Sequence, residues 1–168
     1  IAMSLRHFDV VEADDVAALL VKYKDKYNLG NVWLISSDRD WDLLIQESVS
    51  RFSYVNRKEV KLENWHDHYE VTPEQYISLK CLTGDKGDNV PGITGIGPKR
   101  AASLITEYGD ALTIYDSLPL PSKYKHIQEL NASGERILQN YELMDLMSYC
   151  DDAIGASNIA GIEEKIAC

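Results

Sequence analysis

The chain has 168 residues, 45% of them hydrophobic, and a net charge of −10, which allows one domain, or one and a half, with a core large enough to fold alone. No run of eighteen apolar residues and no basic segment ahead of an apolar one occurs, so neither a membrane span nor secretion is supported and an intracellular protein is expected. Cys81, Cys150 and Cys168 are scattered without a CxxC pair, which argues against a disulfide framework or a zinc site, and the acidic balance argues against a generic basic nucleic-acid binder.

In chain order, Phe8, Val10 and Val11 are expected to finish a strand. From Glu12 the spacing of Val16, Leu19, Leu20 and Tyr23 predicts a helix with one buried face, and its acidic start suits the positive end of the helix dipole. Asn28 to Asn31 break it. Val32-Trp33-Leu34-Ile35-Ser36 is a continuous apolar run, predicted as a fully buried strand; a helix followed by such a strand signals an α/β fold with a parallel sheet. Asp38 and Asp40 follow directly, where open α/β sheets bind their ligands. The run from Asp38 to Asp42 opens like a calcium-binding EF-hand loop, but Leu43 stands where the turn needs Gly and Val49 where the bidentate Glu belongs. Val49–Tyr54 and Glu59–Leu62 are predicted as a hairpin or edge pair. Thr72-Pro73-Glu74-Gln75 predicts a capped helix start. Beyond it the chain turns helical, with Ala101, Leu104, Ile105 and Tyr108 on one face up to Gly109, and further helices over Ala111–Ser117, Ser122–Leu130 and Ser133–Met144. The stretch from Asp151 to Cys168 is weakly patterned and is read as a loose tail. Ile rather than Met at position 1 is read as a chain that starts inside a longer gene product or has been processed.

Leu82 to Arg100 carries the most chemistry. Asp85 and Asp88 lie three residues apart in a Gly-rich turn, able to offer hard carboxylate oxygens to one cation. Directly afterwards, Gly92, Gly95 and Gly97 let the backbone turn tightly, and Pro98 fits the first position of a new helix. A helix start of this kind presents main-chain N–H donors to a phosphate, and Lys99 and Arg100 add positive charge. One segment thus combines a phosphodiester grip with divalent-metal ligands, the combination a nuclease needs.

Each acidic group has a plainer reading by itself. Glu12, Asp14 and Asp15 would stabilise a helix start, Asp38 and Asp40 would cap a helix, and Asp85 and Asp88 would form a turn. The glycine turn read alone could simply join two helices. The conjunction favours metal binding, because three acidic groups each sit at the end of an element. These seven carboxylates also account for seven of the ten net negative charges, so bound cations would remove most of the objection to nucleic acid. His66 and His68, two apart, are read as structural or surface residues. No GxSxG or Walker sequence occurs.

The sequence around Glu12-Ala13-Asp14-Asp15, Ser37-Asp38-Arg39-Asp40, Gly84-Asp85-Lys86-Gly87-Asp88 and Gly95-Ile96-Gly97-Pro98-Lys99-Arg100 resembles the structure-specific 5′-nucleases. The likeness is to the phage 5′-3′ exonuclease or flap endonuclease branch and to the 5′-nuclease domain of bacterial DNA polymerase I, from about Val11 to Met147. It implies a mainly parallel (PIN-like or Rossmann-like) sheet, incomplete at its N-terminus, followed by a helix-three-turn-helix or helix-hairpin-helix DNA-binding region. The corresponding division is 1–70, 71–150 and a 151–168 tail. By motif position Glu12, Asp14, Asp38 and Asp40 resemble ligands of the metal site nearer the scissile phosphate, Asp85 and Asp88 those completing a second, and Asp15 a supporting acid. Asp38, Asp40, Asp85 and Asp88 are then the catalytic set. Gly92, Gly95, Gly97, Lys99 and Arg100 would hold the duplex backbone. The implied cofactors are two or more Mg²⁺ or Mn²⁺ ions. The implied partner is DNA with a 5′ flap, branch or duplex end, or an RNA–DNA hybrid, bound by a monomer without membrane involvement, in a phage-encoded protein acting inside a host. Family members carry a strand with a further aspartate and a helical arch before the Glu-Ala-Asp-Asp motif, and neither precedes Val11 here. A non-catalytic DNA-binding fragment and a related metal-dependent ribonuclease H-type enzyme are the alternatives.

Overall fold

The computed structural model describes residues 11–167. The strand expected at Phe8–Val11 lies outside them except for Val11, which packs against the core of the first of two compact units. Among the described residues that unit comprises 11–62 with 146–167, and the second 63–145.

In the first unit α1 (Ala13–Lys22) starts with Asp14 and Asp15 and ends with Lys22, charges that suit both ends of its dipole. It buries Val16, Ala17, Ala18, Leu19 and Val21, a wider face than its four apolar positions predicted. Small Ala17 and Ala18 let neighbours come close on the flanks. The sheet has the order β1 (Val32–Ile35), β2 (Val49–Ser53), β3 (Lys58–Val60). β1 and β2 are parallel, with Val32 opposite Val49, whereas β2 and β3 are antiparallel, with Arg51 opposite Val60. The sheet is thus small and mixed within a helix-rich α/β fold.

Two expectations fail here. β1 is not buried throughout: Leu34 joins the core, but Trp33 is 61% and Ile35 57% exposed. Strand side chains alternate between faces, and the core that encloses Leu34 leaves the face of Trp33 and Ile35 open; β1 is also an edge, pairing only with β2 among the described residues. The weakly patterned tail is helical, forming α7 (Leu146–Ile154) and α8 (Ala156–Ala167). Cys150, Ile154 and Ile162 enter the same buried cluster as Val16, Leu19, Leu34 and Val49. The pairs Lys22–Asp151 and Lys26–Glu163 tie both helices to α1 and the turn after it. These contacts span more than a hundred residues, beyond the reach of any local pattern.

The second unit holds α2 (Tyr76–Thr83), a two-residue ribbon of β4 (Gly84–Asp85) against β5 (Val90–Pro91), α3 (Pro98–Tyr108), α4 (Ala111–Asp116), α5 (Lys125–Ala132) and α6 (Gly134–Met144). α2 begins later than the Thr72 signal suggested. Gln75 still closes its half of the capping box by accepting from Thr72 N at 3.2 Å, but residues 73–75 form a turn ahead of the helix. α3 runs as expected from Pro98 to a stop at Gly109, whose φ of +99° suits glycine. A core of Leu82, Ile93, Ile96, Ile105, Ile114, Leu130 and Ile137 forms among these helices. Asn140, 2% exposed, donates to Cys81 O at 2.8 Å and Pro91 O at 3.0 Å, fastening α6 to α2 and to β5. Among the described residues no helix is long and apolar enough to cross a membrane.

Candidate metal and nucleic-acid site

The first acidic group sits where the chain enters α1. Glu12, Asp14 and Asp15 bring one carboxylate oxygen each within 4.8 Å of one another. Burial, and then the charges of Asp14 and Glu12, push the Asp15 carboxyl above its ordinary range. Three acids at this spacing repel one another, and a cation would relieve the repulsion.

Asp38 and Asp40 lie after β1, at the start of a short 3-10 helix, Asp40–Leu44, that packs against α1. The turn is built by its own side chains. Ser36 Oγ accepts from Asp38 N at 3.1 Å, and Asp38 Oδ1 accepts from Asp40 N at 3.0 Å. Asp38 thus closes a turn ahead of the 3-10 helix, whose N-cap is Arg39 with no side-chain cap, while a carboxylate has further lone pairs to offer.

Beneath this turn is a pair that sequence reasoning missed. Arg51 Nε donates to Asp42 Oδ1 at 2.5 Å and Nη2 to Asp42 Oδ2 at 2.8 Å, a two-pronged ion pair, while Nη1 donates to Ser36 O at 3.0 Å. Both side chains are buried. One guanidinium thus locks β2 to the end of β1 and to the 3-10 helix, fixing the backbone that carries Asp38 and Asp40. The signal was present: Arg51 shares the inward face of β2 with Val49 and Ser53, and a charge at an inward strand position needs a buried partner.

In the second unit Asp85 organises the turn between β4 and β5. Its Oδ1 accepts from Gly87 N at 2.6 Å and Asp88 N at 3.3 Å, and its Oδ2 from Lys80 Nζ at 2.7 Å. The Lys80 ammonium holds the Asp85 carboxyl below the usual carboxylate range. Lys80 itself is buried, so the pair is largely shielded from solvent on the lysine side. Asp88 is exposed at the tip of the same turn.

The glycine turn follows without interruption. Ile93 N donates to Leu82 O at 2.8 Å, Ile96 N to Ile93 O at 3.0 Å, and the buried Ile93 and Ile96 anchor the loop while Thr94, Gly95 and Gly97 remain at the surface. Gly95 has φ +80°, and Arg100 Nη1 reaches back to its carbonyl at 2.6 Å. Lys99 and Arg100 are exposed on the first turn of α3. The glycines differ in their reasons. A side chain at Gly92 would collide with the Thr83 carbonyl, so Gly92 serves the close approach of the ribbon's two strands, whereas a Cβ on Gly97 would meet nothing within 4 Å. His66 is exposed and His68 half-buried beside the Tyr69 ring, in keeping with a surface role.

Comparison with known proteins matches residues 71–164 to a family described as "5′-3′ exonuclease, C-terminal SAM fold". The flap endonuclease of Escherichia phage T5 is 51% identical over 147 residues, covering 87% of this chain and 50% of that protein. A 5′-3′ exonuclease of Halalkalibacterium halodurans is 35% identical over 127 residues, covering 74% and 42%. A solved structure of the phage T5 flap endonuclease, a pseudo-enzyme-product complex with DNA and metal ions, superposes with a TM-score of 0.86 at 46% identity, covering 94% of this chain and 59% of that one. The chain spans about half the length of the curated relatives it matches.

Proposed function

Because this chain belongs to the 5′-3′ exonuclease family, we propose that it carries part of a divalent-metal-dependent 5′-3′ exonuclease or flap endonuclease, hydrolysing DNA phosphodiesters at 5′ ends, flaps or RNA primers. The observation that carries this reading is the continuity of the Asp85–Asp88 turn with the Gly95–Gly97 turn through the β4–β5 ribbon. It joins carboxylates to a surface suited to a phosphate backbone.

The donors fit a hard cation. All seven are carboxylates, with no imidazole or thiolate among them, which suits Mg²⁺ or Mn²⁺ better than zinc or copper. Glu12, Asp14, Asp38 and Asp40 would hold the ion nearer the scissile phosphate, Asp85 and Asp88 would complete a second site, and Asp15 would support the first. Such ions, when bound, supply a water of lowered pKa and neutralise charge on the attacked phosphate. The chain's own part is positional. Arg51 and Asp42 keep the Asp38–Asp40 turn in place, and Lys80 keeps Asp85 ionised and aligned. Lys99, Arg100 and the main-chain donors after Gly95 and Gly97 hold the duplex backbone.

In this reading 1–70 forms the nuclease part, with a mainly parallel PIN-like sheet completed by a further strand on the open edge of β1, and 71–150 the DNA-binding part. The protein acts as an intracellular monomer on flapped, branched or duplex DNA, or on an RNA–DNA hybrid. The test is cleavage of a 5′-flap substrate with Mg²⁺ or Mn²⁺, beside the Asp85→Asn variant. Metal-dependent cleavage that the substitution abolishes supports the assignment, and equal cleavage by both discards it. A second reading, favoured by the exposed Lys99 and Arg100 beside the glycine turn, is a DNA-binding part that does not itself cut. Salt-sensitive duplex binding without cleavage under either metal would select it.

A further inference from the structure

We propose that the tip of the β2–β3 hairpin is a contact for single-stranded nucleic acid, with the Tyr54 ring against an unstacked base and Arg57 and Lys58 on neighbouring phosphates. The inference deepens, and rests on, the reading that the Asp38–Asp40 turn holds a metal ion and receives a nucleic-acid strand. β1 and β2 run parallel with Ile35 opposite Phe52, and Ser36 N donates to Phe52 O at 3.1 Å. The Asp38–Asp40 turn and the hairpin tip therefore leave the sheet at the same end, the carboxyl end of both strands, where α/β sheets bind their ligands. Arg51, reaching from β2 to Ser36 O at 3.0 Å, ties the two strand ends together. A strand brought to the acidic turn arrives at the end of the sheet that carries the tip.

The tip faces solvent with its whole length. Residues 54–58 are all exposed, Tyr54 at 64% and Val55 at 70%, so neither the ring nor the valine serves the core. Its cations differ from the others of this unit. Lys22, Lys24, Lys26, Arg51 and Lys61 each face a carboxylate, whereas among the described residues Arg57 and Lys58 form no ion pair. The backbone agrees. Asn56 Oδ1 accepts from Lys58 N at 3.1 Å and sets the turn, and Arg57 has φ +55°, a left-handed conformation that glycine or asparagine adopts more readily. An arginine held there, with its side chain in solvent, carries a backbone cost, and strain of this kind collects at binding sites. A flat ring, a small apolar patch and two unpaired cations match a single strand, which offers base faces for stacking and phosphates for charge. A duplex hides those faces within its stack, so the ring selects the unpaired form.

The test is fluorescence anisotropy of a labelled oligothymidylate and, separately, of a blunt duplex, titrated with the chain in the absence of divalent metal so that nothing is cut. Tyr54→Ala should weaken single-strand binding about 5-fold or more, Tyr54→Phe should bind as the parent does, and neither should change duplex binding. Arg57→Asn should lower the slope of log affinity against log salt by about 0.7, the share of one single-strand phosphate. Its melting temperature should stay level or rise, because asparagine suits the turn, whereas a disrupted hairpin would lower it. Parental single-strand affinity in both Tyr54→Ala and Arg57→Asn overturns the proposal, and so does equal weakening on the duplex. Displacement of the oligonucleotide by polyglutamate as readily as by unlabelled oligonucleotide would assign the tip to acidic peptides and overturn it too. Cleavage by the Asp85→Asn variant separates this from the reading beneath it. If that variant loses metal-dependent cleavage while both hairpin variants bind as the parent does, the nuclease reading stands and the tip assignment falls. If it cleaves as the parent does, the nuclease reading fails, and the binding titrations still decide whether the tip holds a single strand.

Discussion

Replacing Arg51 by methionine removes the guanidinium that spans β2, the end of β1 and the 3-10 helix, and leaves Asp42 as a carboxylate with no side-chain exposure at all. Removing one member of a buried ion pair costs about 3–5 kcal/mol. Against a total stability of about 5–15 kcal/mol for a domain, that brings the first unit near its unfolding threshold. The double substitution Asp42→Leu with Arg51→Met fills the space with apolar side chains and should recover stability to within about 1–2 kcal/mol of the parent, because the desolvation of both charges disappears with them. The Ser36 carbonyl remains without its arginine donor in the double variant, so the turn bearing Asp38 and Asp40 stays loosened. Urea unfolding followed by tryptophan fluorescence gives the three stabilities, and calorimetric titration with Mn²⁺ gives ion affinity. The expected pattern is a large loss in each single variant, near-recovery in the double, and weakened Mn²⁺ binding in all three. Single variants that lose under about 1 kcal/mol, as solvent-exposed pairs do, would refute the argument; so would a double variant that binds Mn²⁺ as the parent does.

Asp15→Asn should raise the melting temperature of the metal-free chain while weakening Mn²⁺ binding. The sign follows from a carboxyl held above its ordinary range: its ionised form is disfavoured in the fold, so the penalty acts above the folded pKa and is relieved as pH falls through it. A gain confined to acid pH would contradict this. Asp85→Asn should abolish metal-dependent cleavage with duplex binding largely kept. Because Lys80 holds Asp85 low, the parent has the benefit of this pair above the ordinary aspartate value of about 3.9 and loses it as pH falls through the lower folded value; thermal unfolding of the variant should lack that acid loss. Gly97→Ala should change stability by less than about 0.5 kcal/mol yet weaken duplex binding several-fold, since only a bound backbone competes for its open space. Gly92→Ala should instead cost about 3 kcal/mol or more, read as a lower urea midpoint, because its methyl group meets the Thr83 carbonyl.

Local chemistry was enough to find α1, α3 and the hairpin of β2 and β3, since each is specified by neighbours in sequence: an apolar stripe, a proline after glycine, alternating strands around Asn56 and Arg57. The acidic groups and the glycine turn are visible as motifs for the same reason, since residue types and spacing are local, whereas the metal and backbone roles proposed for them await the experiments above. What required the tertiary structure was every partnership across distance. The apolar run of β1 could not announce that Leu34 would be enclosed and Trp33 and Ile35 left open, because burial depends on which layers cover the sheet. α7 and α8 have too little pattern of their own and are ordered by docking on α1, more than a hundred residues earlier. Asp42 looked like part of a failed calcium loop until Arg51 was found beside it, and Lys80 and Asn140 looked like ordinary helix residues until the ribbon they fasten came into view. A sequence fixes which groups can form such bonds, but a buried charge or amide acquires its purpose only from the groups that folding brings within three ångströms of it.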